Sequence, residues 1–581
     1  MIEAQASFPS TLEELVSACV SFHRKRKDSL SVESARQRRA DLARFARTFH
    51  SECGTLTPSV QESIEDLEEG NCIVLMTAHQ PNFFAYSGVL RKTTLNFVLA
   101  SKLESLLKVP IVSFFGIADQ DFTDDRWVRS CELPAVQRSE GVLSIEVKLP
   151  ERLMLNKVAK PSDGLLLEWR SEIEKWLSEA IGSIQRLSRD LGFQEACSAS
   201  TVSALHKNFE YFWNIVEGCW RRSSTYSDFN SFLMSEIVND AWGYDTVFAR
   251  FSECQQAFVD DFSFLLSHFQ DYSRLLSEAR KMSNAEGNAS GVSEQEPFLA
   301  PFWYHCSCGS KAKLLLEQKD GHLVGSGDCV RCQKHYELDL GHKDEPNLRE
   351  IASHISARAI PMGLVFFNGL QPCCYVGGAA GAAYLTEAAH VARGLGSSFP
   401  VIVVWRPYDR YLGVGQMEVL SEVEGICRDL GAENVLLAKN LLNTRLSEIQ
   451  GRLERLERLK SEAEERLRNN PGDGKLKREI REASVRRTNM VKSSRLSVVC
   501  LERKVFENAS KALGLMPSII DYAVSVGLKE TSDQWIRHLN EGGDFHSSVK
   551  LESVLEQDIV HEGFCAWESL FPSDFDRGGH N

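Results

Sequence analysis

A strand, a polar loop, a helix and a second strand follow one another between residues 71 and 118. The apolar run from Ile73 to Met76 predicts the first strand, residues 91–100 predict the helix, and "VPIVSFFGIA", residues 109–118, predicts the second strand. Such a βαβ unit joins two parallel strands. The sequence therefore predicts an α/β protein with a parallel sheet, whose ligands bind where the strands end.

Later segments predict the rest of this sheet. Apolar runs in "RAIPMGLVFFNG", residues 358–369, and in "FPVIVVWRP", residues 399–407, indicate strands, and "GGAAGAAYLTEAAHVARGLG" between them indicates a helix. The sequence from 157 to 282 has apolar residues at helical spacing and is dense in Trp and Phe. We therefore expect a sheet in two halves, separated along the chain by an all-helical insert.

With 581 residues, the chain is too long for one hydrophobic core. We expect N-terminal helices in 1–69, a Rossmann-like first half in 70–156, the helical insert in 157–282, a linker in 283–297, a zinc ribbon in 298–343, the second half of the core in 344–437, a coiled-coil hairpin in 438–508 and a C-terminal helical tail in 509–581.

The hairpin prediction depends on a repeat of apolar residues after position 438. With Lys460 as one interruption, the repeat takes alternating steps of four and three through Leu442, Leu446, Ile449, Leu453, Leu456, Ala463 and Leu467. The segment "NNPGDG", residues 469–474, ends this helix, and a second apolar repeat starts at Leu476. This pattern is typical of an antiparallel coiled coil, and we expect it to form a homodimer contact.

Two closely spaced cysteine pairs predict a metal site. Cys306 and Cys308 form the first pair, Cys329 and Cys332 form the second, and the residues between them alternate as in a β-hairpin. Four thiolates can bind zinc tetrahedrally, which predicts a structural zinc ribbon. Because the first pair is Cys-x-Cys, His305 or His335 remains an alternative ligand. A catalytic zinc that holds a substrate thiol and an iron–sulfur cluster are the other hypotheses for this site.

Polar residues are concentrated where the predicted strands end. His79 and Asn82 follow the first strand, and Arg91 and Lys92 lie near the start of the next helix, a combination suited to phosphate. Asp119 and Asp121 follow the second strand and are suited to an amine, a ribose hydroxyl or magnesium.

Two more features belong to the same predicted edge. Gly377 and Gly378 precede a helix and permit close approach of a ligand, and Arg406 ends the strand "VIVVWR". Four loops would then meet at one edge of the sheet, which favours an enzyme or a binding protein over a scaffold.

Composition narrows the class of protein. A net charge of −14 argues against general nucleic-acid binding, although a local basic patch remains compatible with it. No apolar run is long enough for a membrane span, and the N-terminus lacks a secretory pattern. The other cysteines are scattered, as in reduced proteins. We expect a cytoplasmic protein.

The order of these motifs resembles the bacillithiol-biosynthesis cysteine-adding enzymes, the cysteine ligases that act on glucosaminyl-malate. The resemblance lies in "TAHQPNFFAYSGVLRKT", "VPIVSFFGIADQDF", "YVGGAAGAAY" and "FPVIVVWRP", followed by a coiled coil, and covers residues 70–156 and 344–505. This chain differs in having Ala78 and His79 where the family has Gly and Gln, and Gly381 where an acidic residue is expected.

The resemblance implies a Rossmann-like core similar to that of class I aminoacyl-tRNA synthetases, and an amide-forming ligase. Residues 77, 79 and 80 would line the nucleotide or substrate pocket, and Tyr375 would begin the glycine loop. Activation of a cysteine carboxylate would use ATP and Mg, with phosphate charge stabilised by His79, Arg91 and Lys92. The candidate catalytic residues are His79, Asp119, Asp121 and Arg406, and the candidate binding residues are Thr77, Gln80, Asn82, Arg91, Lys92, Tyr375, Gly377 and Gly378.

Two alternatives remain. The stretch "HQPNFFAYSG" also resembles the start of the WbqC-like proteins, which implies aminoacyl transfer in surface-sugar biosynthesis. A non-catalytic scaffold built from a zinc ribbon and a coiled coil, with an RNA contact at the basic "RLERLERLK" segment, is the third hypothesis.

Overall fold

The computed structural model describes residues 8–26, 32–191, 197–285, 298–405, 409–433, 435–547 and 549–555. The helices are α1 Leu12–Arg26, α2 Val32–Cys53, α3 Pro58–Glu69, α4 Ser87–Leu107, α5 Asp163–Leu191, α6 Ala199–Arg222, α7 Tyr226–Ser235, α8 Phe251–Cys254, α9 Val259–Ser267, α10 Phe269–Ala285, α11 Ala359–Leu370, α12 Ala379–Gly394, α13 Val414–Asp429, α14 Val435–Asn469, α15 Gly474–Ser493, α16 Leu496–Leu513, α17 Ile519–Ser525 and α18 Leu528–Asn540. The strands are β1 Ile73–His79, β2 Ile111–Ile117, β3 Ser130–Pro134, β4 Val142–Glu146, β5 Val247–Arg250, β6 Phe302–His305, β7 Lys311–Ala312, β8 Leu315–Lys319, β9 His322–Asp328, β10 His335–His342, β11 Glu345–Pro346, β12 Ile355–Ala357, β13 Cys374–Gly377, β14 Val401–Val404, β15 Asp409–Arg410 and β16 Val549–Lys550.

A five-stranded sheet in the order β14-β13-β1-β2-β5 forms the centre of the protein. All neighbouring strands in it are parallel, as the βαβ pattern predicted. Counted along the chain, the five strands have the order 5-4-1-2-3, which is the arrangement of doubly wound nucleotide-binding sheets. Its topological switch point lies between β1 and β13. Strands β2 and β5 are added on one side of β1, and β13 and β14 are then added on its other side.

Both faces of the sheet are buried, and successive side chains of β1 therefore pack into two different hydrophobic clusters. Ile73 and Leu75 pack into one cluster of buried residues, together with the Trp- and Phe-rich helices α5, α6 and α7. Val74 and Met76 pack into the other cluster with α2, α9 and α11. Parallel strands covered on both faces are continuous apolar runs, which explains why β1 and β2 were visible in the sequence.

Two predicted elements were wrong. The run "RAIPMGLVFFNG" forms helix α11 and not a strand, because a fully buried helix has no polar face and its sequence is as apolar as that of a buried strand. The predicted all-helical insert also contains β5, the edge strand that pairs with β2. With four residues, β5 is too short to show a period in the sequence.

The predicted hairpin is present as two helices. Helices α14 and α15 pack against each other, and Arg487 of α15 lies 3.3 Å from Glu457 of α14. Asp473 begins α15 by accepting hydrogen bonds from the backbone nitrogens of Lys475 and Leu476. The structure therefore contains an antiparallel helical hairpin after the second half of the sheet, and its coiled-coil character remains a prediction.

The segment after residue 509 is part of the main core as far as the structure describes it. Helix α18 packs against α4, and Trp535 of α18 is fully buried. Strand β16 pairs with β15. Residues 517–519 bind the loop after β1 through two backbone hydrogen bonds, from Ser87 to Pro517 and from Ile519 to Ala85. The C-terminal segment therefore holds the loop after β1 in place through its backbone.

Candidate functional site

The candidate site lies at the carboxyl edge of the parallel sheet. His79 ends β1 and pairs with Ile117 of β2. Thr77 pairs with Val376 of β13, so continuing this register brings His79 level with Gly378. The backbones of three predicted site segments therefore meet at the switch point, as their positions after parallel strands predicted.

A buried cation lies beneath this edge. Lys92 of α4 is 5% exposed, and its Nζ donates a 3.4 Å hydrogen bond to the carbonyl of Ala78. Burial lowers the pKa of Lys92 to about 8. Among the described residues, no carboxylate forms an ion pair with it. A buried ammonium group without a counter-charge is costly, which makes Lys92 a candidate ligand for an anion.

His79 is neutral at this edge. Burial, together with the neighbouring Lys92 charge, lowers the pKa of His79 to about 3. Its Nδ1 lies 3.1 Å from the carbonyl of Gln80 and donates to it, because a carbonyl oxygen only accepts. The Nε2 atom is then an acceptor. His79 can therefore accept a proton or a hydrogen bond, but it does not contribute positive charge near neutral pH.

The helix after β13 begins beside these groups. Gly378 precedes the first residue of α12, and a Cβ atom built at Gly378 would meet no heavy atom within 4 Å. The Tyr384 hydroxyl lies near the same helix start, 3.2 Å from the position of a Cβ atom on Gly381. An open helix N-terminus favours an anion, and the unsubstituted glycine leaves room for it.

The cysteine-rich module contributes a residue that no sequence pattern indicated. Lys311 of β7 is 3% exposed and interacts electrostatically with Asp121, which follows β2. Burial lowers the pKa of Lys311 to about 8 and raises the pKa of Asp121. Burial and the Asp121 carboxylate also raise the pKa of Tyr384 to about 12. Nothing in the spacing of Lys311 marked it, since only the packing of the module against the sheet brings it here.

Other predicted residues have structural partners. Asp119 accepts a 3.0 Å hydrogen bond from the backbone nitrogen of Ser252 and a second from its hydroxyl, so it ties the end of β2 to the turn after β5. The Thr77 hydroxyl donates to the Val376 carbonyl. Tyr375 packs in the core against Phe367. These three side chains hold the edge together.

The remaining predicted site residues differ in how they are held. Gln80 donates a 3.1 Å hydrogen bond to Asp125, which holds the loop after β1 against the loop after β2. Asn82 is 2% exposed and lies beside His79. Gly377 ends β13, and the predicted Arg406 lies outside the described residues.

Arg91 has a different role from the predicted one. Its Nη1 atom donates a 3.0 Å hydrogen bond to Asp409 in an ion pair that is almost completely buried, and its guanidinium stacks 4.0 Å from the Trp405 ring. Asp409 also accepts hydrogen bonds from Tyr522 and Trp535. Because this network joins α4 to the C-terminal helices, we leave Arg91 out of the candidate site.

We expect Asp409→Asn to destabilise the protein strongly. The substitution would leave the Arg91 charge buried without its counter-charge, which typically costs about 3–5 kcal/mol. The free energy of unfolding, measured in urea, reports this effect. Asp260→Asn, at an exposed site on α9, is the control and should change stability by less than about 0.5 kcal/mol. Equal stability of the two variants would contradict the assigned role of Arg91.

The four cysteines of the predicted metal site lie together. Their Sγ atoms are all within 4.8 Å of one another, with Cys306 and Cys332 at 3.5 Å and Cys308 and Cys329 at 3.6 Å. A tetrahedral site with Zn–S bonds of about 2.3 Å has sulfur–sulfur distances of about 3.8 Å. The cluster therefore fits a metal ion such as zinc.

A tight turn and a tyrosine hydroxyl preorganise the first cysteine pair. The Cys308 backbone nitrogen donates to the Cys306 sulfur, Gly309 has a positive φ of 83°, and Tyr336 donates to the Cys306 sulfur at 3.0 Å. The alternative ligand His335 instead lies 2.8 Å from Asp328. These contacts favour the four-cysteine set. The first pair lies between β6 and β7 and the second between β9 and β10, and the predicted antiparallel hairpin, β8–β9, lies between the two pairs.

A separate groove of about 690 Å³ lies between α1, α4 and α18. Lys102 and Leu106, near the end of α4, line it. Because α4 begins at the carboxyl end of β1 and leads to the start of β2, this groove lies towards the opposite edge of the sheet. It is distinct from the candidate site.

The fold and the site define an α/β protein with a doubly wound sheet and a cysteine cluster suited to a metal. No family model matches this chain, and no curated protein matches it either. None of the described helices has the length and apolar character needed to cross a membrane.

Proposed function

We propose that this protein is an ATP-dependent ligase that joins an amino-acid carboxylate to an amine. Cysteine is the proposed amino acid, and the amine of glucosaminyl-malate is the proposed acceptor, as the resemblance to the bacillithiol enzymes implies. The main support is Lys92, a buried cation without a carboxylate partner among the described residues, at the switch point of a sheet with nucleotide-binding strand order.

The reaction needs an activated carboxylate. A carboxylate oxygen of cysteine attacks the α-phosphorus of ATP, and pyrophosphate leaves. The acceptor amine then attacks the acyl carbon, loses a proton, and displaces AMP. Negative charge develops on the phosphate oxygens in the first step, where Lys92 and the start of α12 are suited to stabilise it.

The acceptor amine requires a base and an orienting group. Asp121 is the proposed group, since its carboxylate lies at the same edge and its pKa is raised by burial. His79, which is neutral and has Nε2 as an acceptor, is proposed to orient the amine or the ribose. Lys311 and Tyr384 adjoin Asp121, and we propose that they set its charge and position.

The cysteine cluster is proposed to hold a structural zinc ion. Zinc with four thiolate ligands has no open coordination position, so the ion would fold the module. Folding of the module keeps Lys311 beside Asp121. We propose further that the protein forms a homodimer through the outer side of α14, where charges of both signs alternate.

The test is a reaction of the zinc-loaded protein with ATP, magnesium, cysteine and glucosaminyl-malate. We expect mass spectrometry to detect the cysteinyl amide, with AMP as the nucleotide product. Asp121→Asn should lower kcat at least about 100-fold. The control Asp260→Asn, at an exposed position on α9 outside the candidate site, should keep full activity.

The outcomes separate the hypotheses. ADP as the product would replace the adenylate route with an acyl phosphate. If neither amide nor nucleotide cleavage appears with any of the twenty amino acids, the ligase proposal fails. The scaffold hypothesis would then become the leading one.

A further inference from the structure

Helix α15 is the most basic described part of an acidic protein. Helix α15, Gly474–Ser493, contains seven Lys and Arg residues and two Glu residues, a net charge of +5, whereas the whole chain carries −14. The rest of the chain therefore carries −19. Such a concentration of positive charge on one helix favours binding of a negatively charged partner.

The cations lie on the side of α15 that faces solvent. Leu476 is buried against α14, and Ile480, Ala483 and Met490 are half-buried on the same face. Lys477, Arg478, Arg481 and Lys492 lie on the opposite face and are all exposed. They span about 22 Å along the helix axis.

Among the described residues, none of these four cations forms an ion pair with a carboxylate. Arg487, by contrast, is paired with Glu457, and Lys460 of α14 lies between Glu457 and Glu464 at 3.5 and 3.6 Å. Within the "RLERLERLK" segment of α14, residues 452–460, four cations are interspersed with two glutamates, and Lys460 is the cation with acidic partners. The basic charge is therefore more concentrated on α15 than on this segment, where the sequence suggested an RNA contact.

We propose that the outer face of α15 binds the phosphate backbone of double-helical RNA. A line of exposed cations attracts a polyanion by releasing its counterions. Because α14 backs α15, the two helices together form a surface about 20 Å wide, which suits the wide, shallow minor groove of A-form RNA better than a narrow groove. The exposed Asn489 lies among the cations and can hydrogen-bond a ribose 2′-hydroxyl group.

Other partners fit this face less well. A second copy of the chain would place like charges opposite each other, which is unfavourable. A membrane surface would require large apolar residues on the exposed side of an amphipathic helix, whereas the exposed apolar residues of α15 are the two short side chains Val485 and Val491. Residues 475–495 also include no aromatic side chain for stacking single-stranded bases.

The test uses the full-length protein and a fluorescent 20-base-pair RNA duplex at 50 mM salt. We expect saturable binding whose affinity falls steeply as salt is raised. The quadruple variant Lys477→Glu, Arg478→Glu, Arg481→Glu and Lys492→Glu should weaken binding at least tenfold. The corresponding four Gln substitutions should reduce the slope of log K against log salt by about 0.7–0.9 for each phosphate that the protein no longer neutralises.

The matched control reverses four exposed lysines elsewhere, with the same change in net charge: Lys102, Lys175, Lys207 and Lys281, each to Glu. It should keep most of the affinity, and circular dichroism should show native helix content in all variants. Absence of RNA binding by the parent protein, or equally weakened binding in both quadruple variants, would overturn the proposal. Tighter binding of a DNA duplex or of anionic vesicles would replace RNA with that partner.

Discussion

The Cys329→Ser protein should hold less than a tenth of the zinc that the parent protein holds. Cys329 is fully buried, with its sulfur 3.6 Å from that of Cys308, so a serine hydroxyl at this position cannot replace the thiolate in a tetrahedral site. Structural zinc sites contribute on the order of 10 kcal/mol to the folding of small modules. Metal content, measured by mass spectrometry after gel filtration, is the direct readout.

The same substitution should disorder the module and expose the candidate site. Lys311 begins β7, three residues after Cys308, and the backbone of Cys306 is hydrogen-bonded to that of Ser310. Hydrogen exchange of the backbone amides in β6–β10 should therefore increase strongly, whereas exchange in β1 and β2 should remain slow. Under the proposed function, kcat should fall with metal content.

Cys500→Ser is the matched control, because Cys500 is exposed and lies outside the cluster. It should retain the metal and the exchange pattern of the parent. Full zinc occupancy in Cys329→Ser would contradict the four-thiolate assignment. Retained metal with iron and sulfide would identify a cluster of a different kind.

Lys92→Met should weaken the binding of ATP or pyrophosphate about 100-fold without destabilising the fold. Methionine fills nearly the same volume but lacks the charge that binds the anion. Removing an unpaired ammonium from a buried position also removes its desolvation cost, so the free energy of unfolding should stay constant or rise. Calorimetric titration and urea unfolding measure the two effects separately.

The pH dependence gives a second signature of Lys92. Its pKa is about 8 in the folded protein, below the ordinary value of 10.5, so the ammonium form is lost above pH 8 in the free protein. Anion binding should therefore fall with rising pH above 8. Stability should increase between pH 8 and 10.5, because only the unfolded chain still binds the proton there. In Lys92→Met, the part of both effects that comes from Lys92 should disappear, and the part that comes from Lys311 should remain.

Lys102→Met provides the control on the same helix. Lys102 is exposed and lies towards the other end of α4, so it should alter neither anion binding nor its pH profile. Equal binding by the parent and Lys92→Met would remove the main support for the proposed function. Lower stability of Lys92→Met would instead assign Lys92 a structural role.

Several elements could be predicted because their signals are local. The strands β1, β2 and β14 are apolar runs bounded by polar loops, and α14 and α15 repeat apolar residues at helical spacing around a Pro- and Gly-containing break. The spacing of the four cysteines anticipated their cluster. Helix α11 and strand β5 were missed because a buried helix and a four-residue strand have no diagnostic period.

The roles of individual residues at the carboxyl edge of the sheet could not be predicted from the sequence. Arg91 and Lys92 are adjacent in the sequence, and both were expected to bind phosphate. Since neighbouring residues on a helix point in directions about 100° apart, Arg91 reaches Asp409 and Trp535 in the C-terminal part of the core, whereas Lys92 reaches the end of β1. No spacing rule identifies which of two adjacent cations has a partner 318 residues away.

The sequence by itself determined the parallel sheet, the helical hairpin and the four-cysteine site, because each depends on the order of residue types over short distances. Only the tertiary structure decided the strand order, the contribution of Lys311 from the cysteine-rich module, and the pairing of Arg91 rather than Lys92. These features depend on contacts between segments far apart in the chain. Burial then sets the charge state of Lys92 and His79, and burial is a property of the whole fold.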